Sequence, residues 1–471
     1  MAKKDENYIR ALESELCASI EREEKLLTEG VRLKTFLKTR FKYSKLYKDI
    51  ISNPDSGAGK IVRAPRTFYR LVKNPEVRES FMQKKSVNKV CSQSWVEPWS
   101  VKLEDRKRIV AQALRNDKKI ALYFVNSINY STPRYRCYNT FEATLESEKW
   151  QAVYFLKDEV EEALEILPRC DVLIFGREAG LSKNMKKLME VAKKEKIKVG
   201  LDIDDLVFSK KYLNLFLETA SNKSNRSYWV GYFAGVREIA DKMDFFIATN
   251  DFLAGKLAES FDKPVKVIRN SLNREQVEAS EVYIRNKTRK DKKFVIGYFS
   301  GSNTHRNDLK VALPQVLKFL KEHDNAILRI VGFMTLDKGA QKMEAQGKIQ
   351  FSPFTDFRKL QRLMAEVDVN IAPLVINDFT NCKSELKFFE AGVVETTTIA
   401  SPSYTFSRAI KDGQNGFLAQ PGEWFDKLEY LYTHPEENKK IAKVAKKYAL
   451  KHYYGADFLK EIEKAYEFFA K

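Results

Sequence analysis

The spacing of apolar residues changes near residue 118 and divides the chain into differently organised regions. Before this point apolar side chains recur at helical spacing, as at Ile9, Leu12 and Leu16, and polar segments interrupt them. After it, short and almost continuous apolar runs alternate with longer amphipathic segments. Short apolar runs bounded by polar loops are typical of strands buried on both faces of a parallel sheet. The pattern therefore predicts a helical region over residues 1–115, followed by alternating strands and helices.

Two series of such strands are separated by a polar stretch. The first series lies within residues 116–273 and consists of KKIALYFV, WQAVYFL, CDVLIFG, KIKVGLDID, MDFFIATN and VKVIRN. The second lies within residues 294–445 and consists of KFVIGYFSG, AILRIVGF, KIQFSPF, VDVNIAPL and TTTIASP. We expect residues 274–293 to link the two domains and residues 446–471 to form a helix that crosses back over the cleft. The predicted fold class is α/β, with two Rossmann-like domains facing a cleft and an N-terminal helical extension.

Length and composition place the chain among folded globular proteins of more than one domain. A chain of 471 residues is too long for a single hydrophobic core, and 44% hydrophobic with 31% charged residues excludes a disordered protein. We find no apolar run of about 18 residues, as a membrane span would need. The first ten residues lack the apolar core of a signal peptide, and the five cysteines contain no CxxC pair. We therefore expect a cytoplasmic protein with reduced thiols.

The richest candidate chemistry lies in residues 377–402, NDFTNCKSELKFFEAGVVETTTIASP. Lys383, Ser384 and Lys387 stand where a loop enters a predicted helix, and a helix start with flanking lysines binds diphosphates readily. Glu390 follows within the same helix and can accept hydrogen bonds from ribose hydroxyls. The alternative is a solvated amphipathic helix that carries ordinary surface lysines.

The order KSELKFFEAG, TTTIASP and DGQNGFL resembles the C-terminal domain of the retaining family-4, or group 1, glycosyltransferases. The resemblance implies the GT-B fold, a nucleotide-sugar donor, retention of anomeric configuration and catalysis without a metal cofactor. In that family a pair of glutamates is separated by seven residues, and the second holds the donor ribose. Glu390 takes the second position, whereas Cys382 stands at the first. A small turn after the helix is also altered and reads Glu395, Thr396 and Thr397.

The loop after the first strand of the second domain is another candidate site. Its small residues allow close approach of a ligand, and the helix that follows points its amides outward. The predicted donor-binding and catalytic residues here are Gly301, Ser302, Thr304, His305 and Arg306. By the resemblance, His305 takes roughly the position of a phosphate-binding lysine, and Tyr298 the position of an arginine. The alternative is a helix capped by Thr304 beside an exposed histidine.

Two candidate groups lie on the side of the first domain that faces the cleft. Arg134 and Arg136 follow its first strand and could hold an anionic acceptor or the donor phosphate, or else be surface arginines. Asp202, Asp204 and Asp205 follow its fourth strand. They resemble the metal motif of the other glycosyltransferase fold, but two Rossmann-like halves argue against that fold. We therefore expect no divalent metal. We place Asp204 on the acceptor or phosphate side, where a carboxylate could touch sugar hydroxyls or cap a following helix.

Positive charge is concentrated near the amino end. The formal net charge is +19, and residues 31–90 contain 16 Lys and Arg against four Asp and Glu. Aromatic residues such as Phe41 and Tyr43 lie among the basic ones, a pattern that suits peripheral contact with the anionic inner face of a membrane. A nucleic acid, a partner protein or a solvated helical cap is the alternative. The opening helix also has the spacing of a short coiled coil for self-association.

The family resemblance, with these residues, implies a glycosyltransferase that moves a sugar from a nucleotide-sugar donor to a glycan or lipid-linked acceptor. Family analogy alone suggests surface-polysaccharide or glycoconjugate assembly. Charge develops on the departing diphosphate, and Lys383, Lys387 and His305 are expected to stabilise it, with Lys383 and His305 as the catalytic pair. The alternatives are a catalytically silent homologue that acts as a scaffold and a nucleic-acid-binding protein that uses its basic arm.

Overall fold

The computed structural model describes residues 101–125, 131–219, 226–287, 293–301, 307–332, 334, 336 and 338–470. All of them belong to one compact unit. Of the predicted N-terminal extension, only helix α1 (Leu103–Arg115) falls within the described residues. The opening helix and the basic segment over residues 31–90 lie outside them.

The first domain is built on a sheet of six parallel strands in the order β2-β1-β3-β4-β5-β6. The strands are β1 (Lys119–Val125), β2 (Trp150–Leu156), β3 (Val172–Gly176), β4 (Lys198–Ile203), β5 (Phe245–Ala248) and β6 (Val265–Val267). In β1 every residue after Lys119 is buried, because helices cover both faces of the sheet. The helices are α2 (Ser131–Pro133), α3 (Asn139–Ala143), α4 (Val160–Ile166), α5 (Lys183–Lys194), α6 (Leu213–Thr219), α7 (Arg226–Ala240) and α8 (Asp251–Ser260), with a π-helical turn over Arg134–Tyr138. Single 3₁₀ turns lie at Thr144–Glu146, Lys157–Glu159, Leu167–Arg169 and Lys210–Tyr212.

The second domain repeats this organisation with the strand order β12-β11-β10-β7-β8-β9, again all parallel. The strands are β7 (Phe294–Ser300), β8 (Ala326–Gly332), β9 (Ile349–Ser352), β10 (Val369–Ala372), β11 (Thr397–Ala400) and β12 (Phe417–Leu418). The helices are α10 (Asp308–Glu322), α11 (Lys338–Ala345), α12 (Phe357–Ala365), α13 (Asp378–Asn381), α14 (Leu386–Val393), α15 (Tyr404–Ala409) and α16 (Trp424–Thr433). The predicted fold class of two parallel-sheet domains is thereby confirmed.

Most of the predicted linker, residues 274–293, forms helix α9 (Arg274–Arg285). Asn273 caps the helix start by accepting a hydrogen bond from the backbone N–H of Gln276. The segment reads as polar because the residues on its buried face, Gln276 and Ser280, are themselves polar. Their burial makes the connection part of the wall between the domains.

The end of the chain ties the two domains together. Helix α17 (Pro435–Tyr453) packs on the second domain, and α18 (Ala456–Phe469) packs on the first sheet. There Tyr466 Oη donates to Tyr123 Oη at 2.9 Å, and the ring of Phe469 stacks on Phe245 with centroids 3.9 Å apart. The carboxyl ends of the two sheets consequently face one cleft, where doubly wound α/β sheets bind ligands. Among the described helices, none combines the length and the apolar composition that crossing a membrane requires.

Candidate active site between the two sheets

A cavity of about 490 Å³ lies between the carboxyl ends of the two sheets. Residues after β1, β3 and β4 form one wall, and residues after β7, β8, β9 and β10 form the other. Its predicted site residues are Arg134, Asp204, Gly301, Lys383, Ser384, Lys387 and Glu390. The structure therefore brings together candidates that are up to 256 positions apart in the sequence, as Arg134 and Glu390 are.

The loop before helix α14 is held against the first domain. Ser384 Oγ accepts a hydrogen bond from Asn270 Nδ2 at 2.9 Å, and Lys383 Nζ lies 3.2 Å from Asp205 Oδ1. Thr405 Oγ1 donates to the backbone carbonyl of Lys383 at 2.8 Å. These contacts fix the entry of α14 at the cavity, so its first N–H groups can face a bound ligand.

Lys387 lies in the first turn of α14 and lines the cavity. Its Nζ is buried and has no hydrogen-bond partner among the residues that the structure describes. Burial lowers the pKa of Lys387 to about 8; the positive charge of Lys383 adds to the effect, and the nearby carboxylates of Asp308 and Glu390 oppose it. The ammonium lies 5.0 Å from the centroid of the Tyr298 ring, a contact that offsets only part of the cost of burying a charge. An anion in the cavity would lower that cost further.

Glu390 is 1% exposed and is the fifth of the eight residues of α14. Its Oε1 receives hydrogen bonds from Tyr135 Oη and, at 3.0 Å, from Gln276 Nε2, and it lies 3.6 Å from Arg134 Nη2. All three contacts converge on Oε1. Residues of the first domain and of helix α9 thus orient this carboxylate in the wall of the cavity.

Neither Arg134 nor Arg136 is a surface arginine, since they are 2% and 3% exposed. Both lie in the π-helical turn Arg134–Tyr138, an irregularity that is common at functional sites. Arg136 Nε donates to Asp202 Oδ1 at 2.8 Å, and Arg136 Nη1 donates to Asn270 Oδ1 at 3.1 Å. Burial raises the pKa of Asp202 to about 6, against the opposing effect of the Arg136 guanidinium. Arg136 is not among the residues lining the cavity and acts behind its wall, by holding the asparagine that binds Ser384.

Asp204 and Asp205 are already engaged by cations of the protein. Arg177 Nε donates to Asp204 Oδ1 at 2.5 Å, and Arg177 Nη2 lies 3.6 Å from Asp205 Oδ2. Thr132 Oγ1 donates to Asp204 Oδ2 at 3.0 Å. Within the described ranges, no group of three or more His, Cys, Asp or Glu side chains is arranged to hold a metal ion.

Of the loop between β7 and α10, the structure describes Gly301 and Asn307. Gly301 lines the cavity, as expected. Ser302, Thr304, His305 and Arg306 lie outside the described residues, and the roles assigned to them stay predictions.

Cys382 and the turn at Glu395, where the sequence departs from the family pattern, have different structural consequences. Cys382 is fully buried, and its backbone carbonyl accepts a hydrogen bond from Asn250 Nδ2 at 2.7 Å, which joins the two domains. Glu395, in the altered turn, has a φ of +52°, a conformation that favours glycine. The turn therefore keeps a backbone geometry suited to glycine although a glutamate occupies it.

Sequence reasoning missed several residues that line the cavity. Arg177 follows β3, and no neighbouring residue marked it as functional. Helix α7 contributes Tyr228, Trp229 and Tyr232. These three aromatic residues, at positions i, i+1 and i+4 of a helix, were a readable signal, because that spacing places their rings on one side of it.

Comparison with known proteins adds a match to a family model and a set of structural neighbours. Residues 281–448 match the family model described as glycosyl transferases group 1. A search of curated protein sequences found no match. The solved structure of a glycosyltransferase from Rickettsia africae is 14% identical, covers 75% of this chain and 99% of its own, and has a TM-score of 0.50.

Two further solved structures are similar at lower TM-scores. One is Anabaena Alr3699/HepE in complex with UDP, at 13% identity and a TM-score of 0.47, with 75% of this chain and 99% of that chain covered. The other is the pneumococcal O-GlcNAc transferase GtfA in complex with UDP and GlcNAc, at 16% identity and a TM-score of 0.45, with 67% of this chain and 61% of that chain covered. The match with the Rickettsia protein, together with the two facing sheets, confirms the predicted GT-B fold.

Proposed function

We propose that this glycosyltransferase, whose residues 281–448 match the group 1 family model, transfers a sugar from a nucleotide-sugar donor to a glycan or lipid-linked acceptor. The donor diphosphate binds at the start of helix α14, and the reaction proceeds with retention and without a metal ion. The observation that carries the proposal is the buried ammonium of Lys387 in the wall of the cavity, which has no hydrogen-bond partner among the described residues.

A diphosphate satisfies the electrostatic requirements of this wall. Lys387 supplies a positive charge that has lost its hydration, and Lys383 supplies a second one at the cavity surface. The N–H groups in the first turn of α14 add the positive end of a helix dipole. Two lysines and a helix start can neutralise most of a diphosphate's charge. In metal-dependent transferases a divalent cation neutralises that charge.

Glu390 is positioned to hold the donor ribose. Tyr135 and Gln276 occupy its Oε1, so that Oε2 is the oxygen that can accept hydrogen bonds from ribose hydroxyls. This role is the one that the family resemblance implies for Glu390. In this structure residues of the first domain orient it, so closure of the two domains and correct orientation of the donor are coupled.

The chemistry asked of the protein is stabilisation of a leaving group. Breaking the bond between the anomeric carbon and the phosphate oxygen places negative charge on the nucleoside diphosphate. Lys383 and Lys387 line the cavity in which that charge develops, and the buried ammonium of Lys387 interacts with it more strongly than an ion in bulk solvent would. The acceptor hydroxyl attacks from the side of the first domain. His305, whose surroundings the structure does not describe, is proposed to assist at the phosphates.

The setting of the reaction is proposed from the sequence. The basic aromatic segment over residues 31–90 would hold the enzyme at an anionic membrane surface, where lipid-linked acceptors are found. Such a location suits surface-polysaccharide or glycoconjugate assembly. Self-association through the opening helix belongs to the same proposal.

The test uses the purified full-length chain and measures binding of UDP, GDP, ADP, CDP and dTDP by thermal shift and calorimetry, with and without EDTA. One nucleotide is expected to raise the melting temperature, with no effect of EDTA. Lys387→Met is expected to weaken that nucleotide at least tenfold, whereas the matched control Lys321→Met, on the exposed side of α10, leaves it unchanged. Equal affinity in Lys387→Met, or no binding by any nucleotide, would refute the donor site. Binding that EDTA abolishes would refute metal independence.

A further inference from the structure

The first-domain wall of the cavity carries an aromatic shelf, defined here as Tyr228, Trp229 and Tyr232 of helix α7. We propose that this shelf, together with Asp204, is the subsite for the acceptor and binds an uncharged pyranose ring. The inference rests on the proposed function and names the chemical class of its acceptor.

The geometry of the shelf suits stacking against a sugar. Tyr228 is 61% exposed at the cavity, a high value for so large a ring, and Trp229 and Tyr232 are half-buried beneath it. The ring centroid of Tyr228 lies 5.1 Å from that of Trp229 and 6.4 Å from that of Tyr232. The faces of aromatic rings carry negative electrostatic potential and attract polarised C–H groups. One face of a pyranose ring presents such groups.

The packing beneath the shelf holds it in place. Trp229 packs on Phe216 with centroids 4.4 Å apart, and Phe216 packs on Phe379 of the second domain at 5.3 Å. Gly235 allows the helix to approach the loop after β3, because a Cβ at this position would lie 2.8 Å from the carbonyl carbon of Ala179. An aromatic platform that is supported from below loses little freedom when it binds a ligand.

Polar groups border the shelf on one side. The hydroxyl of Tyr232 accepts a hydrogen bond from Arg177 Nη1, and the same guanidinium holds Asp204. Asp204 lines the cavity and remains able to accept from hydroxyl groups through the unused lone pairs of its oxygens. An aromatic face beside a carboxylate and a guanidinium matches the apolar face and the hydroxyl-bearing edge of a pyranose.

The charges on this wall favour a neutral sugar over an anionic one. Arg177 is paired with Asp204 and Asp205, and Arg136 is paired with Asp202. Arg134 is likewise 3.6 Å from Glu390. Each arginine on this wall is already neutralised by a carboxylate. An acidic sugar would therefore find no uncompensated positive charge among these arginines and would be repelled by the carboxylates. The anionic acceptor considered from the sequence is therefore the less suitable ligand.

The shelf also lies at the correct place relative to the donor site. Lys383, proposed to face the departing diphosphate, lies 3.2 Å from Asp205 and has its Nζ 4.7 Å from the ring centroid of Phe379. Phe379 in turn supports the shelf through Phe216. The shelf and Lys383 line the same cavity, so a sugar on the shelf shares that cavity with the phosphates of the donor.

The experiment is saturation-transfer-difference NMR on the full-length chain. The probes are the methyl glycosides of glucose, galactose and N-acetylglucosamine, and methyl glucuronide as the anionic comparison. We expect saturation of at least one neutral glycoside, strongest on the protons of one ring face, and weaker saturation of the glucuronide. Tyr228→Ala, an exposed position whose change leaves the core intact, should reduce the neutral signal about fivefold to tenfold. Tyr430→Ala, at a tyrosine of α16 that is 40% exposed and does not line the cavity, should not reduce it.

Three results would overturn the subsite. They are an unchanged signal in Tyr228→Ala, a preference for methyl glucuronide, and loss of nucleoside diphosphate binding in Tyr228→Ala, which would assign the shelf to the nucleobase. Tyr232→Phe provides a second readout, because it keeps the ring but removes the hydroxyl and should weaken glycoside binding without loss of fold. Glycoside saturation in a chain that binds no nucleoside diphosphate would refute the donor site and leave the shelf standing.

Discussion

Replacing Lys387 by methionine tests whether a buried lysine supplies the charge for the donor site. Methionine matches the length of the side chain and removes the ammonium. In the ligand-free protein the pKa of Lys387 lies at about 8, because burial disfavours the charged form. The lysine is therefore roughly nine-tenths protonated at pH 7 and roughly one-tenth protonated at pH 9.

The affinity for a nucleoside diphosphate follows that protonation. A bound diphosphate favours the ammonium and raises its pKa, so binding is strongest below pH 8 and weakens as the pH rises through 8. Between pH 7 and pH 9 the wild-type dissociation constant should rise about tenfold. The ligand itself contributes little to this change. Its last phosphate proton is lost with a pKa of about 6, so the diphosphate is already almost fully ionised at pH 7. In Lys387→Met the affinity at pH 7 should be weaker by roughly tenfold or more and nearly independent of pH.

The free energy of unfolding provides an independent readout, because it should rise with pH whereas the affinity for the ligand falls. The pKa of Lys387 in the folded protein lies below that of an unfolded chain, about 10.5. The unfolded state therefore binds more protons between pH 8 and pH 10.5, and the free energy of unfolding contributed by this group rises with pH over that window. Lys387→Met removes the buried charge and should raise the melting temperature of the ligand-free protein at pH 7 on the order of 2 °C.

The assay is calorimetric titration of the tightest nucleoside diphosphate at pH 7, 8 and 9, with differential scanning calorimetry of the ligand-free proteins. Lys321→Met is the control for loss of a lysine from the same domain. A wild-type affinity that is constant from pH 7 to pH 9, or a Lys387→Met protein that keeps the wild-type pH dependence, would show that Lys387 does not contact the diphosphate.

Three further predictions concern the carboxylates and the shelf. Glu390→Gln keeps the shape of the side chain but removes its charge, and should weaken nucleoside diphosphate binding about fivefold in the same titration. Asp202→Ala leaves the Arg136 guanidinium buried without its carboxylate, and should lower the free energy of unfolding in urea by about 3–5 kcal/mol. Gly235→Ala forces a Cβ against the backbone of Ala179, and should cost about 1–3 kcal/mol in urea unfolding and weaken glycoside saturation.

Each of these has a matched comparison. Inorganic pyrophosphate lacks a ribose, so its affinity should be equal in wild type and Glu390→Gln; an equal loss for both ligands would contradict the ribose assignment. Asp241→Ala breaks an exposed pair with Arg237 and should cost less than about 1 kcal/mol. Gly231→Ala, on the same helix as Gly235 but with no atom within 4 Å of the added Cβ, should not destabilise the fold. Similar costs in the two glycine variants would contradict the close approach at Ala179.

The order of residues along the chain was enough to predict the two sheets and one side of the site. The strands of both domains appear as short apolar runs because each is buried on both faces. A strand buried in this way needs an apolar residue at nearly every consecutive position. Lys383, Lys387 and Glu390 could also be predicted, because the signal for them is local in the sequence. A loop, a helix start and a carboxylate in that helix are local features, and the structure places all three side chains at one cavity.

The contacts of those side chains became known from the folded chain alone. The partners of Glu390 are Tyr135 and Gln276, which are 255 and 114 positions away, and no periodicity encodes such pairs. The polar segment predicted as a linker contains α9, whose buried face carries Gln276 and Ser280, because hydrogen bonding rather than hydrophobicity stabilises that face.

The same limit applies to charge. Arg134 and Arg136 looked available to an anionic ligand, but each is paired with a carboxylate that is distant in sequence. Lys387 looked like its neighbour Lys383, yet Lys383 lies beside Asp205 whereas the Nζ of Lys387 is buried without a hydrogen-bond partner among the described residues. A sequence records which charges are present; whether each is neutralised depends on distances of a few ångströms that only the folded chain sets.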